Sequence, residues 1–379
     1  MALVYTEEQQ LLKDSVKGFL QQRAPISELR KLRDTQDGHG FCRTLWTDMS
    51  AMGWTGMVIP ELFDGLDFGY TGVGILCEEM GRTLSASPIL STALVSASLI
   101  NLAGSAQLKA ELLPAIVASE LVVTLAVDEA VRYNPKNIAL TAEPGDDGYR
   151  LNGSKIFVVD GHVADKIIVA VRSSGQPGDC QGISLFIVDA DTEGLDITRT
   201  LMVDSRNAAT LNFDDVYVSS DALLGNLDDA FPVLEKVLDI GAICIAAEML
   251  GIMQESFERT LQYLRERKQF GQLIGSFQAL QHRAAHLFCE IELCKSVVLK
   301  ALYAIDEGSD QLPILASLAK AKTSETVQSV VNEAIQMHGG IGMTDDFEIG
   351  FFIKRASVTR QLFGDAYYHA NRFAELSGY

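Results

Sequence analysis

The sequence predicts an α+β chain built in three successive parts: an all-helical N-terminal domain, a middle β-barrel or sandwich, and a C-terminal four-helix bundle. Three observations lead there. Apolar residues recur with helical period from Thr6 to about Glu120. Between about Leu121 and Asp228 the pattern changes to short runs rich in Val, Ile and aromatic residues, separated by turn signals. From about Phe231 the helical period returns in longer segments. The expected domain limits are therefore 1–120, 121–228 and 229–379.

In the first part, Thr6-Glu7-Glu8-Gln9 reads as a capping box, with Leu11, Leu12, Val16, Phe19 and Leu20 following on one face. Pro60 to Leu66 carries Gly65 and reads as a loop, and helical pattern resumes over 72–82 and 108–118. In the middle part, strands are expected over 121–127, 137–142, 149–152, 155–159, 166–171, 183–188, 195–200 and 209–218. Turns are expected at 144–148, Asn152-Gly153, Asp160-Gly161 and 177–179. No G-x-G-x-x-G follows any of these strands, which counts against a nicotinamide enzyme. In the last part, Pro232 suits the first turn of a helix that runs to about Arg267. Further helices are expected over 276–307, 312–337 and 347–362. Helices that long need neighbours to bury their apolar faces, hence a bundle.

Composition narrows the function. Of 379 residues, 47% are hydrophobic and 21% charged, which excludes a disordered or collagen-like chain. A net charge of −19 disfavours a nucleic-acid partner, yet permits an anionic cofactor where a few basic residues gather. Six scattered cysteines without a C-x-x-C pair predict free thiols in a reducing compartment. The first residues lack a signal-peptide apolar centre. The most apolar stretch, 240–253, is interrupted by Glu248 and is shorter than a bilayer requires. A soluble cytoplasmic protein with no membrane span is the expectation.

Two motifs carry chemistry. In Arg267-Lys268-Gln269-Phe270-Gly271, followed by Ile274-Gly275-Ser276-Phe277-Gln278, a long helix ends in cations, turns at Gly271 and a new helix begins. Arg267 is suited to a phosphate and Phe270 to a planar ring. In Gln336-Met337-His338-Gly339-Gly340-Ile341-Gly342, the glycines let backbone N–H groups approach an anion at a helix end. Each pattern also suits an ordinary helix terminus, and His338 suits a hydrogen-bonded structural role. His282 and His286 stand four apart, but Arg283 occupies the place a zincin glutamate would take, and no metal site is expected.

With R-x-x-F-G-x-x-I-x-x-F-Q and, later, Q-x-H-G-G-x-G on an α–β–α chain of this length, the sequence resembles the acyl-CoA dehydrogenase family over nearly its whole length. Among subgroups it is most similar to the small subunit of two-subunit, pimeloyl-CoA-type dehydrogenases, on 161–166 and on Leu362-Phe363-Gly364-Asp365-Ala366. The resemblance implies FAD-dependent α,β-dehydrogenation of an acyl-CoA thioester, in fatty-acid or dicarboxylate β-oxidation. It also implies a homo- or hetero-tetramer with a related subunit and an electron-transfer acceptor. In that chemistry a carboxylate removes the α-proton while the β-hydrogen leaves as hydride to the flavin.

The family's residue roles carry over unevenly. Arg267, Gln269, Phe270, Ile274, Gln336, Met337, Gly339 and Gly340 match the segments that hold the flavin pyrophosphate of a neighbouring subunit. On the ring side, Phe157 and Val159 stand in the family's W-I-T-N-G stretch, and Val159 lacks the hydroxyl of the usual Thr or Ser. The usual T-E-P-x-A-G-S-D turn reads Asp128-Glu129-Ala130-Val131-Arg132-Tyr133. Gly364 occupies the usual base position and Gly241 the alternative one. Asp365, one residue along, is the nearest stand-in for the base, with a helix cap as its other reading; Asp239 lies near the alternative site. Two expectations follow: a flavoenzyme with a displaced base, or a non-catalytic subunit completing the flavin site of a catalytic homologue.

Overall fold

The computed structural model describes residues 4–379. Helix α1 (Glu7–Arg23) opens on the expected capping box: the Thr6 hydroxyl accepts from Gln9 N–H at 3.2 Å and Gln9 Oε1 accepts from Thr6 N–H at 3.0 Å. Helices α2 (Ile26–Thr35) and α3 (Arg43–Ala51) follow. The expected loop before α4 (Tyr70–Thr83) folds back on itself, because a Cβ on Gly65 would lie 1.9 Å from the Ile59 carbonyl oxygen. A π-helical stretch, Ile89–Ser96, runs into α5 (Ala97–Ala103), and α6 (Ala106–Val117) completes the first third.

Seven strands form one mixed sheet: β1 (Val123–Ala126), β2 (Thr141–Pro144), β3 (Gly148–Val159), β4 (Lys166–Arg172), β5 (Ile183–Asp189), β6 (Leu195–Leu201) and β7 (Asn207–Ser219). Their order is β1-β4-β2-β3-β7-β6, with β5 paired to β4 off that path. Leu151, Val158, Ile167, Val169, Phe186, Leu211 and Val216 pack in its core.

Two expectations are corrected here. Asn152-Gly153 is not a turn: the chain continues as β3, with Gly153 at φ 139° and a register shift against β7 between Leu151 and Gly153. Both flanks pair with the same strand, so the extra residue is absorbed as a bulge. A second shift, between Lys155 and Val158, puts Phe157 at φ 55°. The strand expected over 137–142 begins only at Thr141.

The last third holds α7 (Phe231–Glu266), α8 (Gln278–Asp306), α9 (Leu312–His338), α10 (Ile349–Thr359) and α11 (Ala366–Leu376). A two-rung hairpin, Lys268–Gln269 with Gln272–Leu273, joins α7 to α8. Helix α11 is a finding the sequence reading lacked. The most apolar window of α7 is 94% buried, as a core helix is.

The chain groups into two compact units. A helical unit comprises the segment ending at Lys31, Tyr70–Ser85 and Ala242–Tyr379; a sheet unit comprises Leu32–Gly69 and Ala86–Gly241. Within the helical unit α4 and α7 meet backbone to backbone: a Cβ on Gly81 would lie 2.1 Å from Glu248 O, and one on Gly251 1.8 Å from Glu78 O. The Glu248 carboxylate is held there by Arg355 at 2.7 and 2.9 Å, both side chains buried.

Candidate functional site

In the helical unit, the two glycine-containing motifs converge. Arg267 N–H donates to Tyr263 O at 2.9 Å, and Ile274 N–H returns to Arg267 O at 2.9 Å, closing the turn. Phe270 and Gly271 sit at φ 52° and 78°, and Phe270 is 89% exposed, edge-on to Phe277. Arg267 and Gln269 are exposed beside it and Ile274 is half-buried. At the end of α9, Gly339 takes φ 65°, and a Cβ on Gly339 or Gly340 would meet nothing within 4 Å. Gln336 is exposed whereas Met337 is buried, so only the first offers its side chain to a ligand.

His338 links the two. Its Nδ1–H donates to Ala334 O at 2.7 Å, which leaves Nε2 unprotonated; among the described residues that buried atom has no hydrogen-bond partner. The ring lies between Tyr263 and Phe347, with centroids 4.5 and 4.8 Å away, and burial lowers its proton affinity. Tyr263 is one turn before Arg267, and His338 immediately precedes Gly339. A guanidinium, a primary amide and an open glycine turn therefore share one end of the helical unit. That donor set fits a diphosphate.

The two positions expected to hold a base, 364 and 241, carry glycine. Gly364 is buried at φ 96°, after Phe363 at φ 56°. Beneath this turn the fully buried Lys320 ammonium donates to Gly364 O at 2.7 Å and Arg360 O at 3.1 Å. Burial lowers Lys320 to about 7, against the raising influence of Asp365. His369 Nε2–H donates to Phe363 O at 2.7 Å, and burial together with the Lys320 charge pushes it down to about 3. Asp365 is engaged as the N-cap of α11, its Oδ1 accepting from Tyr368 N–H at 2.8 Å. The structure thus gives Asp365 its helix-boundary role. In the sheet unit, Gly241 and Asp239 are both buried on α7.

The sheet unit carries the residues expected on the ring side, Phe157 and Val159. Val159 O accepts from the Thr124 hydroxyl at 2.6 Å, and Asp160 accepts from Ser91 Oγ at 2.6 Å. Phe157, in the bulge of β3, and Val159, just beyond it, are half-buried. Lys155 is fully buried and donates to Glu129 Oε1 at 2.6 Å and Val127 O at 3.0 Å. Glu129 also accepts from Ala139 and Leu140 N–H, at 2.7 and 3.1 Å, so one carboxylate organises the segment after β1. Asp128 stands between them. Its carbonyl accepts from Ile156 N–H at 2.8 Å, but among the described residues its carboxylate makes no hydrogen bond or ion pair. Burial pushes Asp128 up to about 6, opposed by Lys155. A hydroxyl-free Val159 and an acceptor-only Asp128 do not fit the carbonyl-rich edge of a flavin ring.

Sequence reasoning assigned no role to Asp128, Lys155, Lys320 or Tyr263. Lys320 alone carried a usable signal, a cation flanked by alanines in the apolar pattern of α9.

The chain matches the N-terminal, middle and C-terminal domains of acyl-CoA dehydrogenases over residues 6–120, 125–216 and 229–376. It is 30% identical to YngJ of Bacillus subtilis over 360 residues, 93% of each chain. It is 29% identical to the short-chain specific acyl-CoA dehydrogenase of Clostridium acetobutylicum over 363 residues, again 93% of each. Among solved structures, a variant of the Tcur3481-Tcur3483 steroid ACAD aligns with a TM-score of 0.87 at 29% identity over 98% of both chains. Three contiguous domain matches in order, on the observed helix–sheet–helix chain, establish that the protein belongs to the acyl-CoA dehydrogenase family.

Proposed function

We propose that this chain is one subunit of a hetero-oligomeric acyl-CoA dehydrogenase, lending the phosphate-binding half of an FAD site to a homologous partner that bears the catalytic base. The observation that carries this reading is the contrast between the two halves. Arg267, Gln336 and the Gly339–Gly340 turn are exposed and open. Both base positions are glycine, and Gly364 is buried in a left-handed turn. Phe270, Leu273, Phe288 and Leu293 are solvent-exposed apolar residues around and beyond the hairpin, a surface suited to a covering chain. The name of the steroid ACAD structure pairs two chains, which supports a two-chain arrangement here. The resemblance to pimeloyl-CoA-type small subunits points the same way.

In such an assembly Arg267 neutralises phosphate charge, the Gln336 amide donates a hydrogen bond, and the glycine turn admits the anion close to backbone N–H groups. FAD held there would supply the hydride acceptor for a CH–CH oxidation of an acyl-CoA. The test is co-expression with a homologue that carries glutamate at the usual base position. Native mass spectrometry should show a mixed complex with acyl-CoA-dependent dye reduction absent from this chain alone. An FAD-saturated homotetramer with robust turnover would overturn the reading.

A further inference from the structure

We propose that Asp128 bars a flavin ring from this chain's own ring-side half, so that flavin is retained only where the partner supplies that half. The inference rests on the subunit reading above and goes beyond it by naming the excluding residue. Asp128 stands two residues after β1, and its carbonyl bond to Ile156 N–H ties it to the bulge that carries Phe157, two residues before Val159. It therefore belongs to the ring-side cluster. Among the described residues its half-buried carboxylate has no hydrogen-bonding partner, whereas neighbouring Glu129 has three.

Lys155 offsets that charge only through space. Its ammonium is committed to Glu129 and Val127 O, although its field reaches Asp128.

Toward a flavin the chemistry is adverse. The pyrimidine edge of the ring offers two carbonyl oxygens and acceptor nitrogens but a single N–H donor, and an ionised carboxylate only accepts. Two-electron reduction adds negative charge to that edge, which a nearby carboxylate opposes further. A threonine hydroxyl at the same place could donate. So could the side-chain amide of asparagine.

The experiment measures FAD-to-chain ratio and FAD affinity of the refilled apoprotein, for this chain alone and in the co-expressed assembly. Asp128→Thr and Asp128→Asn should each tighten FAD uptake by the chain alone at least tenfold and raise the assembly's flavin content. Asp128→Glu, which keeps the carboxylate, should leave both near the starting values. Circular dichroism establishes that each protein is folded, and either gain-of-binding variant suffices for the comparison. Unchanged FAD uptake in a folded Asp128→Thr or Asp128→Asn protein overturns the proposal. A full gain from Val159→Thr alone also does so, as would a starting chain already saturated with FAD. A gain in the Asp128 variants without any mixed complex would instead sink the subunit reading and leave this one standing.

Discussion

The rings of Tyr263 and His338 are 4.5 Å apart, centroid to centroid, and tilted by 31°. This contact holds the last turns of α7 against the end of α9, within one turn of Arg267 on one side and next to Gly339 on the other. His338 is neutral there, because its Nδ1–H is spent on Ala334 O and burial disfavours a second proton. Arg267 and the Gly339–Gly340 turn thus rest on packed aromatic rings that include Phe347 rather than on the exposed hairpin alone. Tyr263→Ala should weaken FAD binding by the assembly through misplacement of the turn, and lower Tm as well. Flavin titration and a thermal melt on the same sample would check both effects.

Arg267 offers a cleaner separation of binding from folding. Its side chain is exposed, so Arg267→Ala should leave the circular dichroism spectrum unchanged. A charge-assisted hydrogen bond is worth about 1.5–3 kcal/mol, which corresponds to roughly 10- to 150-fold weaker FAD binding. Equal flavin-to-protein ratios in the two proteins under limiting FAD would remove the phosphate role.

Simple replacement of the missing base should not succeed. Gly364 at φ 96° is a conformation that side-chain-bearing residues adopt only at a cost of about 1–2 kcal/mol. The Lys320 ammonium, bonded to the carbonyls of Arg360 and Gly364, resists relaxation of the turn. Gly364→Glu is expected to lower Tm by a few degrees without creating acyl-CoA oxidation by the chain alone. Turnover with a panel of acyl-CoA thioesters and a dye acceptor is the measurement; activity appearing at unchanged Tm would contradict it.

The Lys155–Glu129 pair should be structurally sensitive. With Lys155 fully buried, Glu129→Ala leaves an ammonium whose remaining bond is to Val127 O, and it frees the Ala139 and Leu140 N–H groups. Breaking such a pair costs about 3–5 kcal/mol. A urea denaturation midpoint shifted by less than 1 kcal/mol equivalent would show that the segment after β1 has another anchor.

Two buried groups bend the pH profile in opposite directions. His369 titrates at about 3 in the folded chain against 6.5 unfolded. Between those values the unfolded chain takes up the extra proton, so this contribution is present above 6.5 and is lost as pH falls toward 3. Asp128 is raised from 3.8 to about 6, so its contribution is present below 3.8 and is lost as pH rises through 6. His369→Gln should flatten the acid-side loss of stability by up to about 1.4 kcal/mol per pH unit. Asp128→Asn should raise Tm more at pH 8 than at pH 5. Melts of both variants at pH 5, 6.5 and 8 would test the signs.

Much of this was legible before any coordinates. The Thr6 capping box, the three long bundle helices, most strands and both glycine motifs follow from signals a few residues apart, because caps, hydrophobic period and turn chemistry act locally. The glycines at 241 and 364 were equally plain in the sequence. Other features were decided by partners distant in the chain. Asn152-Gly153 favours a turn by its own chemistry, yet pairing of both its flanks with β7 turned it into a bulge. Asp365 could be weighed as a base until the N–H of Tyr368, on a helix not anticipated, took its carboxylate. Lys320 reaches Gly364, Tyr263 meets His338, and Lys155 is shared between Glu129 and Val127. Burial decides each of these: where water is excluded, a charge must find whatever acceptor the packing brings near, and no local pattern encodes which one.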